Sequence, residues 1–390
     1  MASATVSTAP TERSNAPAVQ REFGLDWLRV IAFGILIFYH TGMFFVPWGW
    51  HIKNPEQSES LTYVMLFFNR WRLPLLFFIS GAGVFFSLRR RTFGQFASER
   101  FIRLAIPLVF GMLMVVPPQI YVERLHKGQF SGSYFEFWPS VLQGVAYPQG
   151  NTSWHHLWFV AYILTYSLIC IPLFAAMRTT AGRRTLDALT KALTVPGVIL
   201  LAVVPNYAAA VWLGPRWPTT HNLVADWANF AGCLLAFLLG YVVCGSVRLL
   251  DCLTERRRWF LSFALLMTVV FYAMRMIGGA SPTVRSGVDC WFGWGWILTA
   301  VSFSRAHLNC DSPFLRYATE AVYPFYILHQ TVLLLIAYAM LNWDQRISVK
   351  LPLLMLGTFI GSWIGFELVR RSAITRLLFG MRPRSRTTVA

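Results

Sequence analysis

Charged side chains are scarce in this sequence of 390 residues: they make up 13% of it, against about 25% in soluble globular domains. Acidic residues are the rarest, because 17 Asp and Glu stand against 34 Lys and Arg, and the formal net charge is +17. The basic residues lie in short clusters between apolar runs, which is typical of the loops of a polytopic membrane protein. We therefore expect a lipid bilayer, and not a nucleic acid, as partner.

Several catalytic and structural signatures are also missing. The cysteines show neither C-x-x-C nor Cys/His ligand spacing, so no metal site is predicted. None of them falls in a loop predicted to lie outside, so no disulfide framework is expected. There is no G-x-S-x-G elbow, which disfavours a serine acyl-enzyme. No internal or inverted repeat of the transporter kind is present.

The apolar runs predict an all-α fold, a polytopic membrane helix bundle of about ten transmembrane helices. The predicted spans are 25–46, 61–88, 104–122, 156–177, 193–213, 223–247, 259–279, 287–304, 321–341 and 352–369. The loops on the side of the N-terminus hold 23 Lys and Arg and the opposite loops hold seven. By the positive-inside rule both termini are predicted to be cytoplasmic. Residues 1–20 are predicted to be a disordered cytoplasmic tail, 21–372 the transmembrane domain, and 373–390 a basic cytoplasmic tail.

The first span carries an arginine and a histidine, Arg29 and His40, eleven residues apart. At about 100° and 1.5 Å per residue, the two side chains share one stripe of the helix and lie about 16 Å apart along its axis. A polar stripe is costly against lipid, so we expect it to face protein or water. The alternative is a snorkelling arginine and a histidine paired within the bundle.

The second span contains Arg70, Arg72 and Pro74 near its middle, where none of them suits lipid. The alternative is that the true span begins at Pro74 and that residues 61–72 form an outer re-entrant or interfacial piece. In both cases Arg72 is expected to point toward a polar interior.

Two further places carry candidate binding residues. Arg100 and Arg103 share a helix face at the cytoplasmic end of the third span and could bind an anion, or could serve as positive-inside anchors. His155 and His156 begin the fourth span at its outer end. Neighbouring helical positions point about 100° apart, so the pair is a poor metal chelator, but one of them could hydrogen-bond an outside substrate. The alternative is a pair of interfacial histidines in an aromatic belt.

The ninth span carries His329, which by default would be a histidine satisfied within the bundle. Three acidic residues near or within spans could orient a histidine: Asp226, Glu320 and Glu367.

Five motifs follow one another along the chain: Arg29-x10-His40, then residues 73–81 (LPLLFFISG), 100–107 (RFIRLAIP), 157–159 (LWF) and 326–329 (YILH). Their order and spacing resemble the acyltransferase 3 family of integral membrane O-acyltransferases, over roughly residues 22–370. Leu73 stands where the family usually has Met, which is a volume-conserving change. Residues 25–29 are most similar to members that succinylate periplasmic glucans.

The resemblance implies an enzyme that moves an acyl group from cytoplasmic acyl-CoA to a hydroxyl of a glycan or glucan, at the outer side of a bacterial inner membrane. Acetyl-CoA or succinyl-CoA would be a co-substrate, and no tightly bound cofactor is implied. His40, neutral in its desolvated position, would be the general base and would act together with Arg29. Whether His40 deprotonates the acceptor or takes the acyl group covalently stays open.

Arginines would bind the phosphates of the donor, because a guanidinium can bind a phosphate through two hydrogen bonds. The arginines predicted for this role are Arg29, Arg72, Arg100 and Arg103. The predicted acceptor-binding residues are His155, His156 and His329.

Two other classes of protein fit parts of this pattern. A secondary transporter that exports a glycan or a lipid-linked sugar would also have many spans with charges inside them, but it would not transfer an acyl group. A non-catalytic membrane scaffold would need no aligned Arg29 and His40, and it should tolerate Ala at both positions.

Overall fold

The computed structural model describes residues 21–383, so the tail predicted at 1–20 and the end of the one predicted at 373–390 lie outside the described residues. The described chain is a bundle of helices, and its longest connections are residues 44–58, 127–157 and 214–226. Its α-helices are α1 (Phe23–Met43), α2 (Glu59–Asn69), α3 (Arg72–Leu88), α4 (Phe93–His126), α5 (Tyr134–Phe137), α6 (Trp158–Ile169), α7 (Ile171–Arg178), α8 (Thr180–Leu193), α9 (Val198–Leu201), α10 (Val204–Leu213), α11 (Trp227–Cys244), α12 (Val247–Glu255), α13 (Arg257–Ile277), α14 (Pro282–His307), α15 (Pro313–Ala339), α16 (Ile347–Val369) and α17 (Ala373–Leu378). Within α4, two turns are π-helical, Phe101–Ala105 and Gly111–Val115.

Within residues 21–383, seven helical stretches are long and apolar enough to cross a membrane. They are Phe23–Met43, Glu59–Leu88, Phe93–His126, Trp227–Cys244, Arg257–Ile277, Pro313–Ala339 and Ile347–Val369. The number rises to nine if each of two bent pairs is one span: His155–Ile169 with Ile171–Arg178, bent by 45°, and Thr180–Leu193 with Val198–Leu213, bent by 113°. The protein is therefore an integral membrane protein with seven to nine candidate spans. The predicted span at 287–304 lies in α14, which has 26 residues but does not belong to this set.

The second predicted span is broken where its arginines lie. Helices α2 and α3 meet at Arg70 and Trp71, and together they form one stretch of 30 residues. Arg70 turns to Asp289 of α14, at 3.1 Å, and Asp289 also pairs with Arg275 of α13, at 2.6 Å. Arg72 turns inward and is only 4% exposed. At the break, Arg70 therefore forms an ion pair with α14, whereas Arg72 is buried inside the bundle.

Close packing of α3 against α11 fixes the position of Arg72. A Cβ atom added at Gly81 would overlap with the backbone oxygen of Phe237, and one added at Gly240 would overlap with the oxygen of Phe78. Small residues of this kind let two helix backbones approach closely in a membrane. The helix that carries Arg72 is therefore held rigidly against the bundle.

Helix α1 is held at both of its ends. Near its start, the backbone N–H of Gly24 donates to Asn309 Oδ1, at 3.1 Å. At its end, the Lys53 ammonium donates to the carbonyl oxygens of Met43, at 2.5 Å, and of Val46. Burial in this loop lowers the pKa of Lys53 to about 8. Both anchors fix the rotation of α1, and with it the directions of the side chains on its polar stripe.

The chain returns to the start of α1 at its C-terminal end. After α17, Gly380 accepts a hydrogen bond from Arg103 Nε of α4, at 3.1 Å. Arg382 lies close enough to Arg29 and Arg103 for their charges to interact. Residues 373–383, predicted as part of a basic tail, are thus packed against the bundle at the end where α1 begins.

Candidate active site

Five of the eight histidines meet in one group, which we call the histidine cluster: His40, His51, His155, His156 and His329. His40 Nδ1 lies 2.7 Å from His329 Nε2, and the centroid of the His329 ring is 5.3 Å from that of His156. The rings of His51 and His155 stack at 4.6 Å. The structure therefore brings together the four histidines expected from the sequence and adds His51.

The hydrogen bonds of His329 determine where His40 carries its proton. His329 Nδ1 lies 2.7 Å from the carbonyl oxygen of Tyr326, which can only accept, so this nitrogen bears a hydrogen. In the neutral ring, His329 Nε2 is then an acceptor, and His40 Nδ1 donates to it. The lone pair of His40 is left on Nε2, and no group among residues 21–383 hydrogen-bonds that atom. This is the tautomer that a general base requires.

Both ring nitrogens of His156 are occupied by the protein. Nε2 donates to the carbonyl oxygen of Ile327, at 3.0 Å, and Nδ1 accepts from Gln119 Nε2, at 3.3 Å. The Tyr326 hydroxyl donates to the backbone oxygen of the same histidine. His156 therefore connects Gln119 of α4 to the middle of α15, and its contact with an acceptor stays a prediction.

A chain of amides connects His156 to His51. Gln119 Nε2 also donates to Thr331 Oγ1, at 2.7 Å, and Gln330 Nε2 donates to Gln119 Oε1, at 3.1 Å. Gln330 Nε2 lies 3.2 Å from His51 Nε2 as well. An amide nitrogen can only donate, so His51 Nε2 accepts and His51 Nδ1 carries the hydrogen. Every amide hydrogen of the two glutamines thus has an acceptor.

Beyond His51, this network ends at a buried carboxylate, that of Glu123, which is 1% exposed. It accepts hydrogen bonds from His51 Nδ1 at 2.6 Å, Lys127 Nζ at 2.5 Å and the Tyr147 hydroxyl at 2.7 Å. His51, Glu123 and His155 each place one ligand atom within 4.8 Å of the others, which could hold a metal ion. Because three donors already occupy the carboxylate, we interpret the group as a hydrogen-bonding network.

One nitrogen of the histidine cluster is buried without a partner in the described chain, His155 Nε2. The other ring nitrogen of His155 lies 2.7 Å from Ser153 Oγ. A buried polar atom without a partner is uncommon in folded proteins, and it marks a place where a ligand group could bind.

Arg72 lies beside the histidine cluster. It does not lie with the other three arginines that the sequence predicted to bind the donor phosphates. Its guanidinium lies 3.4 Å from the centroid of the Tyr39 ring, next to His40, and its charge acts on His40. Its Nε and Nη1 atoms are buried and have no hydrogen-bond partner in residues 21–383. Two donor nitrogens are therefore available to an anionic group beside His40.

The other three predicted arginines lie at the end of the bundle where α1 begins: Arg29 in α1, and Arg100 and Arg103 in α4. Together with Arg382 they form a group that we call the arginine mouth. Arg29 pairs with Asp26 at 3.2 Å, and Arg103 lies 3.5 Å from Glu99. The Nε atom of Arg100 is buried and has no partner in the described chain. Arg103 lies in a π-helical turn of α4, a feature found often at functional sites.

The acidic residues singled out from the sequence lie elsewhere. Asp226 accepts from the Tyr162 hydroxyl, Glu320 pairs with Arg376 at 2.8 Å, and Glu367 accepts from Tyr317 at 2.6 Å. The carboxylate that does meet a histidine is that of Glu123, which sequence reasoning missed. The helical spacing of Gln119 and Glu123, four residues apart, was the available signal, since it puts two polar groups on one face of a membrane helix.

Comparison with known proteins identifies the family of this chain. The model of the acyltransferase domain that defines the acyltransferase 3 family matches residues 22–367. The chain belongs to the acyltransferase 3 family. This confirms the family predicted from the five motifs.

Curated relatives in this family include glucans biosynthesis protein C of Escherichia coli K12 and its counterparts in the strains O1:K1 and O139:H28. The chain is 26% identical to each of them over 168 residues, which is 42% of this chain and 42% of each relative. The match thus spans less than half the length of these relatives. No solved structure gives a significant match to the chain.

Proposed function

We propose that this member of the acyltransferase 3 family transfers an acyl group, acetyl or succinyl, from acyl-CoA to a hydroxyl of a glycan, with His40 as the general base. The observation that carries the proposal is the hydrogen bond of 2.7 Å between His40 and His329. It leaves the lone pair of His40 Nε2 available, as the deprotonation of an alcohol requires.

The arginine mouth is the proposed donor site. Arg29, Arg100 and Arg103 come from α1 and α4, and guanidinium groups bind phosphates strongly. Arg29 lies eleven residues before His40 on α1, or about 16 Å along the helix axis. The extended arm of CoA would follow this stripe and bring its thioester to His40.

The proposed reaction needs no other reactant. The acceptor hydroxyl attacks the thioester carbonyl carbon while His40 Nε2 takes its proton, and the oxyanion that forms lies beside Arg72. The carbon–sulfur bond then breaks, and the thiolate of CoA takes the proton back from His40. The products are an ester and CoA with a free thiol, and His40 is again neutral. Arg72 serves as the oxyanion donor, since donors aimed at developing charge give large rate effects.

His51, His155 and Glu123 form the acceptor side in this proposal. His155 Nε2 has no partner within the described residues and is therefore available to a sugar hydroxyl. His51 is fixed by Glu123 and Gln330 and shapes the same surface. The name of the Escherichia coli relatives, glucans biosynthesis protein C, supports a glucan as the acceptor class.

We also propose ten crossings, with both termini in the cytoplasm. The start of α1 and the C-terminal segment lie at one end of the bundle, which requires an even number of crossings. Counting α14, whose 26 residues extend about 39 Å, as a span turns nine into ten. The distribution of Lys and Arg supports the orientation, with 23 on the side of the termini and seven opposite.

The test is the reaction itself. Purified protein in detergent is incubated with acetyl-CoA or succinyl-CoA, and release of free thiol is measured with and without a glucan. We expect glucan-dependent thiol release and an ester on the glucan by mass spectrometry. A glycan exporter without acyl transfer would release no thiol with any donor, and that result would refute the proposal.

A further inference from the structure

The C-terminal segment of the chain, residues 373–383, forms part of the arginine mouth. Gly380 O accepts from Arg103 Nε at 3.1 Å, and the ring of Phe379 packs against that of Phe110 with centroids 5.4 Å apart. Phe379 and Met381 are 6% and 7% exposed. The segment is therefore docked by apolar burial on α4, and a polar contact fixes its register.

The turn at Gly380 can be made only by glycine. Its φ angle is +63°, a left-handed conformation that side chains with a Cβ atom rarely adopt. A Cβ atom there would also overlap with the Tyr323 ring and would lie 2.6 Å from the backbone oxygen of Arg103. Glycine at this position therefore lets the backbone of the C-terminal segment approach α4 and α15 closely.

A buried arginine fixes the residues that follow the turn. Arg376, 7% exposed, donates to the backbone oxygen of Arg382 from Nε at 3.0 Å and from Nη2 at 2.6 Å. It also pairs with Glu320 at 2.8 Å. These bonds hold the backbone of Arg382 where its charge acts on Arg29 and Arg103, while its side chain is exposed.

Two polar atoms at the arginine mouth are buried and have no partner among residues 21–383, Arg100 Nε and Tyr323 Oη. Both can donate a hydrogen bond. The acids nearest to the mouth are Asp26 and Glu99, and each is shared between two arginines. The mouth therefore combines a surplus of positive charge with unused donors, which suits a ligand with several negatively charged acceptor oxygens.

We propose that Arg382, held by the C-terminal segment, is the fourth arginine of a site for a polyphosphate, and that the segment is an integral part of donor binding. The proposal rests on the proposed function for the identity of the ligand, the phosphates of CoA. What it adds to the proposed function is that Arg382, about 350 positions after Arg29, completes the phosphate site formed by α1 and α4.

The experiment measures binding of CoA, and separately of inorganic pyrophosphate, to the purified full-length protein by calorimetry in detergent. Arg382→Ala should weaken both by about tenfold, as expected for a lost charge-assisted contact, and Arg382→Lys should retain more of the affinity. Arg371→Ala is the matched control, an exposed arginine next to the segment that should bind like the wild type. Gly380→Ala should weaken binding in the same direction, because the turn cannot form.

Equal affinities of Arg382→Ala and Arg371→Ala, with both variants intact by gel filtration and thermal unfolding, would overturn the inference. Binding of pyrophosphate that depends on Arg382, without binding of CoA, would keep the polyphosphate site and refute the proposed donor. Wild-type protein that binds neither probe would refute both.

Discussion

His329 offers the sharpest test of how the site is arranged, because its proposed role is to position His40 and not to touch the substrate. Replacing it with Ala removes the acceptor, at 2.7 Å, for the His40 Nδ1 hydrogen. A hydrogen bond of this kind contributes about 0.5–1.5 kcal/mol, and without it His40 can also adopt the other tautomer. We expect kcat to fall about tenfold, while the affinity for CoA, bound at the other end of the α1 stripe, is unchanged.

The assay is thiol release from acyl-CoA with a glucan acceptor, together with CoA binding by calorimetry. His329→Gln is the matched control, since its amide oxygen can accept the same hydrogen and should restore part of kcat. His329 is completely buried, so both variants must first be shown to be folded. Equal loss in the Ala and Gln variants, or a loss of CoA affinity parallel to the loss of kcat, would refute the positioning role.

Three further predictions concern other parts of the bundle. Arg72→Ala should lower kcat about 10²-fold or more with unchanged CoA binding, because its unpaired N–H groups lie beside His40; a raised Kd for CoA would return it to donor binding. Gly81→Ala should cost about 1–3 kcal/mol by thermal unfolding in detergent, since its Cβ would overlap with Phe237, whereas Gly94→Ala has open space and should be neutral. Reporter fusions after residues 90, 185 and 253 should read cytoplasmic and one near 140 outside; residue 140 inside would contradict the topology.

The sequence predicted well the features that depend on a single helix or a single motif. Apolar runs with basic clusters indicate a membrane helix bundle, and helical periodicity puts Arg29 and His40 on one stripe. The pair Arg100 and Arg103 follows from the same spacing rule. Each of these conclusions needs only the geometry of a single helix, which the local sequence contains.

Contacts between distant parts of the chain could not be predicted in this way. The partner of His40 is 289 residues away, and the contact of Arg103 with Gly380 spans 277 residues. Arg72 was grouped with the donor arginines by charge, but the break between α2 and α3 turns it toward Tyr39. The helical periodicity of the sequence does not predict such contacts, because they depend on how the helices pack against one another. The number of spans was hard to predict for a related reason, since α14 carries the charge of Asp289, which is neutralised by Arg70 at the break between α2 and α3 and by Arg275 of α13.

The central claim is that His40 takes the proton of the acceptor, and turnover by purified His40→Gln tests it most directly. Gln can keep a hydrogen bond to His329 but cannot serve as a base. We expect thiol release to fall by about 10²–10⁴-fold, while calorimetry shows unchanged binding of CoA and gel filtration shows an intact protein. Turnover close to that of the wild type would contradict the account and would move the base to another residue of the histidine cluster.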